Sequence, residues 1–300
     1  MPPILPVRQT HFHATGIILI ALSALLWSFG GTFSRFLTVD SNWTVVFWRS
    51  YFATVFLIVF MVIQYGVETT IHMFRNMGWP GLSVALCFAV ASASFVVALS
   101  YTSVANILLM QAGVPLIAAL MAWALFGEKP SRGTWIAIVA VITGIAVMVS
   151  ETLGGKVSPM GDGLALLIAF AFSIATVITR RHAEVRMLPA VTLGTFIAWM
   201  ASCGLVSNLV VSLPDMGWLV AFGALNLGLG LAMFAMGARL IPAALAALVG
   251  TLEPVLGPLW VWLIHNEVPS QRTIVGGAIV FAALFTHLSL DFWRQSRASR

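Results

Sequence analysis

The chain has 300 residues, 60% of them hydrophobic and only 8% charged, with a formal net charge of +5 and a mean hydropathy of +1.00. Soluble domains carry about 25% charged residues, so a water-facing surface cannot be built from this composition. The basic residues are scattered over short connections, which argues against nucleic acid as a partner, and Cys87 and Cys203 lack the spacing of a disulfide framework or a metal site.

Residues 1–14 read as a flexible cytoplasmic tail, with no cleavage-site pattern after them. Ten apolar stretches follow, at roughly 15–37, 43–64, 80–100, 104–126, 133–150, 162–179, 188–211, 217–237, 242–264 and 273–290. Most reach the ~20 residues with which a helix crosses ~30 Å of hydrocarbon, the fifth and sixth being short. The first stretch holds Trp27 and Ser28, the second Trp48 and Arg49, and the third Ser92 and Ser94. The fourth holds Asn106, Gln111 and Pro115, the eighth Phe222 and Asn226, and the ninth Glu253 and Pro254. Between the stretches there is room only for turns or a short interfacial segment, near 65–79 and 151–161.

The fourth and ninth stretches repeat one another. Pro115 and Pro254, Trp123 and Trp262, Glu128 and Glu267, and Thr134 and Thr273 each lie 139 positions apart, and both copies end in Glu-x-Pro-Ser. A weaker match, offset by 145, relates Ser28 and Arg35 to Ser173 and Arg180. The chain therefore reads as two fused copies of five helices, 15–150 and 162–290, joined by a Gly/Ser/Pro linker at 151–161 and followed by a tail at 291–300. An odd number of spans makes the second copy enter from the opposite side. The expected fold is an all-α integral membrane protein with ten transmembrane helices in two inverted repeats, an arrangement typical of secondary transporters.

Orientation follows from basic residues. With the N-terminus inside, the cytoplasmic side holds Arg8, Arg75, Lys129, Arg132, Arg180, Arg181, Arg186, Arg239, Arg294, Arg297 and Arg300; the other side holds Arg35, Lys156 and Arg272. Both termini are expected to be cytoplasmic in a multi-pass protein of the cell's inner (plasma) membrane, in contact with the lipid bilayer as a monomer or homodimer.

Trp27-Ser28-Phe29-Gly30, Phe47-Trp48-Arg49, the segment from Pro115 to Glu128-x-Pro-Ser, Gly161-Asp162-Gly163, and Leu252-Glu253-Pro254 followed by Glu267-x-Pro-Ser together resemble the EamA-type repeat of the drug/metabolite transporter superfamily. The resemblance covers nearly the whole chain. Asn266 departs from it, a glycine being usual there, as at Gly127. Within the superfamily the chain is similar to the YddG-type exporters, which implies outward transport of aromatic and other amino acids.

Polar groups inside a bilayer are costly and each needs a reason. Glu253 either handles a substrate amine or a proton, or accepts backbone hydrogen bonds in packing. Arg49 either meets a substrate carboxylate or snorkels outward beside Trp43 and Trp48. Glu128 and Glu267, at helix ends, are read as architectural, pairing with Lys129 or Arg272 or with free N–H groups. The candidate substrate cavity comprises Trp27, Ser28, Ser92, Asn106, Gln111, Phe222, Asn226 and Glu253, with helix kinks at Pro115 and Pro254. For each neutral polar residue, interhelical hydrogen bonding is the competing role. Such a set suits a small amphiphilic zwitterion, and no phosphate or polyanion, because the core lacks clustered cations.

An enzyme would need an HExxH, a GxSxG, facing aspartates or a P-loop, and none is present. The six histidines are dispersed, so neither a metal nor a cofactor is expected, and transport is expected to draw on a gradient. A passive channel is disfavoured by the duplication and by the absence of a filter-like loop.

Overall fold

The computed structural model describes residues 7–153, 158–182, 186–241 and 243–298, and every regular element among them is helical. Residues 154–157 of the linker, Lys156 among them, and Arg300 lie outside the described residues. The first apolar stretch forms α1 (Val7–Ser28), which begins within the segment assigned to the tail, and α2 (Gly30–Phe36) beyond a break at Phe29. The second and third form α3 (Asn42–Tyr65) and α5 (Gly78–Ala98), with a short α4 (Val67–Arg75) between them. The fourth divides into α6 (Val104–Gln111) and α7 (Val114–Phe126), and the fifth to seventh form α8 (Arg132–Leu153), α9 (Pro159–Arg181) and α10 (Met187–Cys203). The eighth runs as α11 (Leu213–Val220), a π-helical run (Ala221–Leu229) and α12 (Gly230–Gly237). The ninth is α13 (Ala243–Gly250) plus α14 (Leu252–His265), and the tenth is α15 (Gln271–Ala298).

Among the described residues, eight segments are long and apolar enough to cross a bilayer, and the α6–α7 pair, bent by 42°, would make a ninth. The bend has a local cause. Pro115 has no N–H to offer the Gln111 carbonyl, so α6 stops there and α7 restarts with the proline in its first turn, where no N–H is needed. Helix α10 is apolar but only 17 residues long. The expected stretch 188–211 leaves the helix after Cys203, and its irregular remainder is tied to α3 through Thr44 Oγ1 to Asn208 O at 2.8 Å and Trp48 Nε1 to Leu209 O at 3.2 Å.

The two copies use the same local devices. Gly127 and Asn266 both close their helices in the left-handed region, at φ 70° and 56°. Asparagine tolerates that conformation better than most residues, which is why this position accepts it in place of glycine. Ser131 and Ser270 then cap α8 and α15, each accepting from the N–H three residues on at 3.1 Å.

Packing between the copies is reciprocal. Helix α1 packs on α12 and α14, while its counterpart α9 packs on α5 and α7. Helix α3 packs along the π-helical run, while its counterpart α10 packs along α5, and α8 and α15 pair with each other. The last pair meets backbone to backbone: a Cβ on Gly144 would lie 2.6 Å from the Gly276 carbonyl oxygen. Gly144→Val is therefore expected to cost about 1–3 kcal/mol by overpacking. A lowered thermal midpoint of the detergent-solubilised protein would register it, and an unchanged midpoint would refute so close an approach.

Hydrogen bonds show which connections share an end. Arg35 reaches Glu267 and the Leu99 carbonyl, Thr38 bonds Asp215, and Arg272 donates to the Ser150 carbonyl at 2.6 Å. Arg180 and Glu128 meet at the other end, as do Arg186 and Met73.

Candidate functional site

A cavity of about 370 Å³ lies between the copies. Its wall runs from Gly30, Arg49 and Phe95 to Thr176 near the end of α9, Met187 at the start of α10 and Ala235 near the end of α12. The broken elements build much of it. Leu108 and Gln111 come from the end of α6, Val114 and Pro115 from the start of α7, and Gly250, Thr251, Glu253 and Pro254 from the matching α13–α14 break. A helix interruption places backbone and short side chains where a continuous helix would fill the space, and it survives in a membrane because it faces a cavity.

Of the expected site residues, Trp27, Ser92, Gln111, Asn226 and Glu253 line this cavity, together with both prolines. Asn226 lies in the π-helical run and donates to the Leu26 and Trp27 carbonyls at 2.6 and 3.2 Å, beside the break that ends α1. Trp27 packs against Phe234 with ring centroids 5.3 Å apart. The same indole lies against Gly230, where any side chain would collide with it.

Ser28, Asn106 and Phe222 stand outside the wall, each for an identifiable reason. The Ser28 hydroxyl donates to the Leu25 carbonyl at 2.7 Å and accepts from Trp260 Nε1 at 3.0 Å, so it ties α1 to α14. Asn106 donates to Asp162 and to Thr102 Oγ1, joining the start of α6 to the start of α9. Phe222 is fully buried, with its face 4.4 Å from the Arg49 guanidinium carbon.

Arg49 is the residue whose place the sequence left most open. It does not snorkel outward. It is only 5% exposed, lines the cavity, and donates through Nη1 to Ser92 Oγ at 2.9 Å. Phe95 and Phe222 flank it as cation–π partners, at 5.6 and 4.4 Å. Among the described residues no carboxylate pairs with it, and its Nε has no hydrogen-bond partner.

Two further wall residues carry buried donors without partners, Trp27 at Nε1 and Gln111 at Nε2. An unsatisfied buried donor costs ~1–3 kcal/mol. Glu253, half-buried in the same wall, has no hydrogen-bond or ion-pair partner among the described residues. The cavity therefore offers one guanidinium, one carboxylate and unused donors, on a lining that is otherwise mostly apolar: Phe88, Phe172, Leu188 and Phe234 supply flat hydrophobic surface. Among the described residues no group of three or more His, Cys, Asp or Glu gathers to hold a metal ion.

Glu267 also departs from the sequence reading. Its carboxylate turns to Arg35 rather than Arg272, at 2.8 Å, and accepts from the Val104 N–H at 3.0 Å.

The EamA-like transporter family matches residues 14–150 and 159–288. An uncharacterized transporter of Bacillus subtilis (strain 168), YwfM, is 24% identical over 235 residues, covering 75% of this chain and 78% of that protein. A solved crystal structure of a protein shares the fold with a TM-score of 0.65 at 18% identity, over 93% of this chain and 98% of that one.

Proposed function

We propose that this chain, which belongs to the EamA-like transporter family, is a secondary transporter that moves small amphiphilic zwitterions out of the cell by alternating access. Neutral and aromatic amino acids are the leading substrates. The carrying observation is that one largely apolar cavity holds both a guanidinium, Arg49, and a carboxylate, Glu253, neither of which is ion-paired among the described residues. A zwitterion supplies the missing partner of each, and its side chain the partner of the aromatic wall. A sugar phosphate would bring two negative charges to a single arginine.

The reciprocal packing of the copies supports an inverted repeat, in which exchanging the roles of the halves opens the cavity to the other side. Outward transport rests on the likeness to amino-acid exporters, and the cytoplasmic placement of the Arg180 end on the concentration of basic residues there.

Liposomes containing the purified protein are expected to exchange methionine, threonine or phenylalanine, with trans-stimulation marking a carrier rather than a channel. Efficient exchange of sugar phosphates with no response to amino acids would overturn the reading. Exchange of apolar cations alone would move the chain to drug export.

A further inference from the structure

Two ion pairs that join the copies are counterparts of one another. Arg35 and Arg180 occupy matching positions in the first helix of each copy, and Glu128 and Glu267 matching positions after the fourth. Each arginine pairs with the glutamate of the other copy, and the two pairs sit at opposite ends of the bundle.

Their states differ sharply. At the first end, Arg35 Nε meets Glu267 Oε2 at 2.8 Å, with side chains 30% and 24% exposed. The same arginine donates to the Leu99 carbonyl at 2.9 Å, and the same carboxylate accepts from the Val104 N–H at 3.0 Å. One pair thus laces the first and ninth stretches to the third and fourth. Aromatic contacts join the same segments: Phe36 stacks on Trp218 at 4.4 Å and meets His265 edge-on at 4.6 Å, and Phe29 stacks on Trp260 at 5.1 Å. At the other end, Arg180 Nη2 stands 3.7 Å from Glu128 Oε2, with side chains 62% and 54% exposed. Among the described residues neither side chain makes a hydrogen bond. The cavity wall extends toward this loose end, to Thr176, Met187 and Ala235.

We propose that Arg35–Glu267 and Arg180–Glu128 are one gate used twice, closed at the first end here and closed at the second in the opposite state. The inference rests on the alternating-access reading. In this structure Arg180–Glu128 is an exposed pair of the kind that contributes little. In the opposite state it is drawn together and shielded as Arg35–Glu267 is now, while Arg35–Glu267 parts. Removing Glu128 therefore destabilises a state other than the one described here, an effect with no counterpart in a merely architectural role.

The test uses the full chain with Cys87→Ser, Cys203→Ser and a reporter, Thr176→Cys, in the cavity wall. A membrane-impermeant maleimide is applied separately from each side. Arg35→Gln is expected to raise labelling from the Arg35 side about tenfold, the population change that ~1.4 kcal/mol produces. The reversed pair, Arg35→Glu with Glu267→Arg, should bring labelling part of the way back to the parent rate, since it restores the ion pair but not the bonds to Leu99 and Val104, which separates gating from misfolding. Glu128→Gln should lower labelling from that side about tenfold, with folding unchanged. Equal labelling in Glu128→Gln and parent would overturn the gate while leaving transport intact. Reporter labelling confined to one side in every variant would overturn alternating access itself. Neither readout requires that the substrate be known.

Discussion

Arg49→Gln should reduce affinity for a neutral amino acid by about tenfold to a hundredfold while leaving affinity for the corresponding amino-acid amide nearly unchanged. The guanidinium is held in the cavity wall by Ser92 and two aromatic faces, with no carboxylate among the described residues to neutralise it. A hydrogen bond to a charged group is worth ~1.5–3 kcal/mol, and ~1.4 kcal/mol is tenfold in affinity. Glutamine can keep a bond to Ser92 but cannot supply the charge, so the loss should follow the carboxylate of the ligand. Binding measured on purified protein, with each amino acid compared with its amide, reads this directly. Equal losses for both ligands would mean that Arg49 holds the cavity open and does not bind substrate.

The behaviour of Arg49 also shows where sequence reasoning stops. It lies seven residues into α3, about 10 Å along the helix. From that depth an arginine can reach either the interface or the bundle interior. Ser92, 43 positions away, and Phe222, on the other copy, settle the matter, and neither pairing has a local signature. Asn106 shows the same limit in reverse: an amide in an apolar stretch looks available for substrate until Asp162, 56 positions on, takes it. The π-helical run around Asn226 has no signal in the apolar pattern either. What local chemistry dictates was legible: the proline kink at Pro115, the shared helix-end position of Gly127 and Asn266, and the 139-residue register of the two copies. The gate pairs fall between these cases. Their residues stand out in the repeat, but the sequence offered Glu267 only Arg272, and the packing of α2 against α14 brings Arg35 instead.

Glu253→Gln is the complementary experiment, and its effect should follow the other end of the ligand. The carboxylate sits two residues past the α13–α14 break, in the cavity wall, with no partner among the described residues. The amide keeps its size and hydrogen bonding but removes the charge, so the wall should remain packed. Exchange of phenylalanine or methionine in liposomes is expected to fall by about tenfold to a hundredfold, the same charge-assisted range as for Arg49. N-acetylated forms, which lack the ammonium group, should lose nothing further. Taken with the Arg49 result, the two variants fix the polarity of the bound zwitterion, each responding to one end and indifferent to the other. If Glu253→Gln exchanges phenylalanine at the parent rate, at normal expression, the carboxylate is a packing element of the proline break, and the ammonium must be sought at carbonyl oxygens freed along the α6–α7 and α13–α14 interruptions.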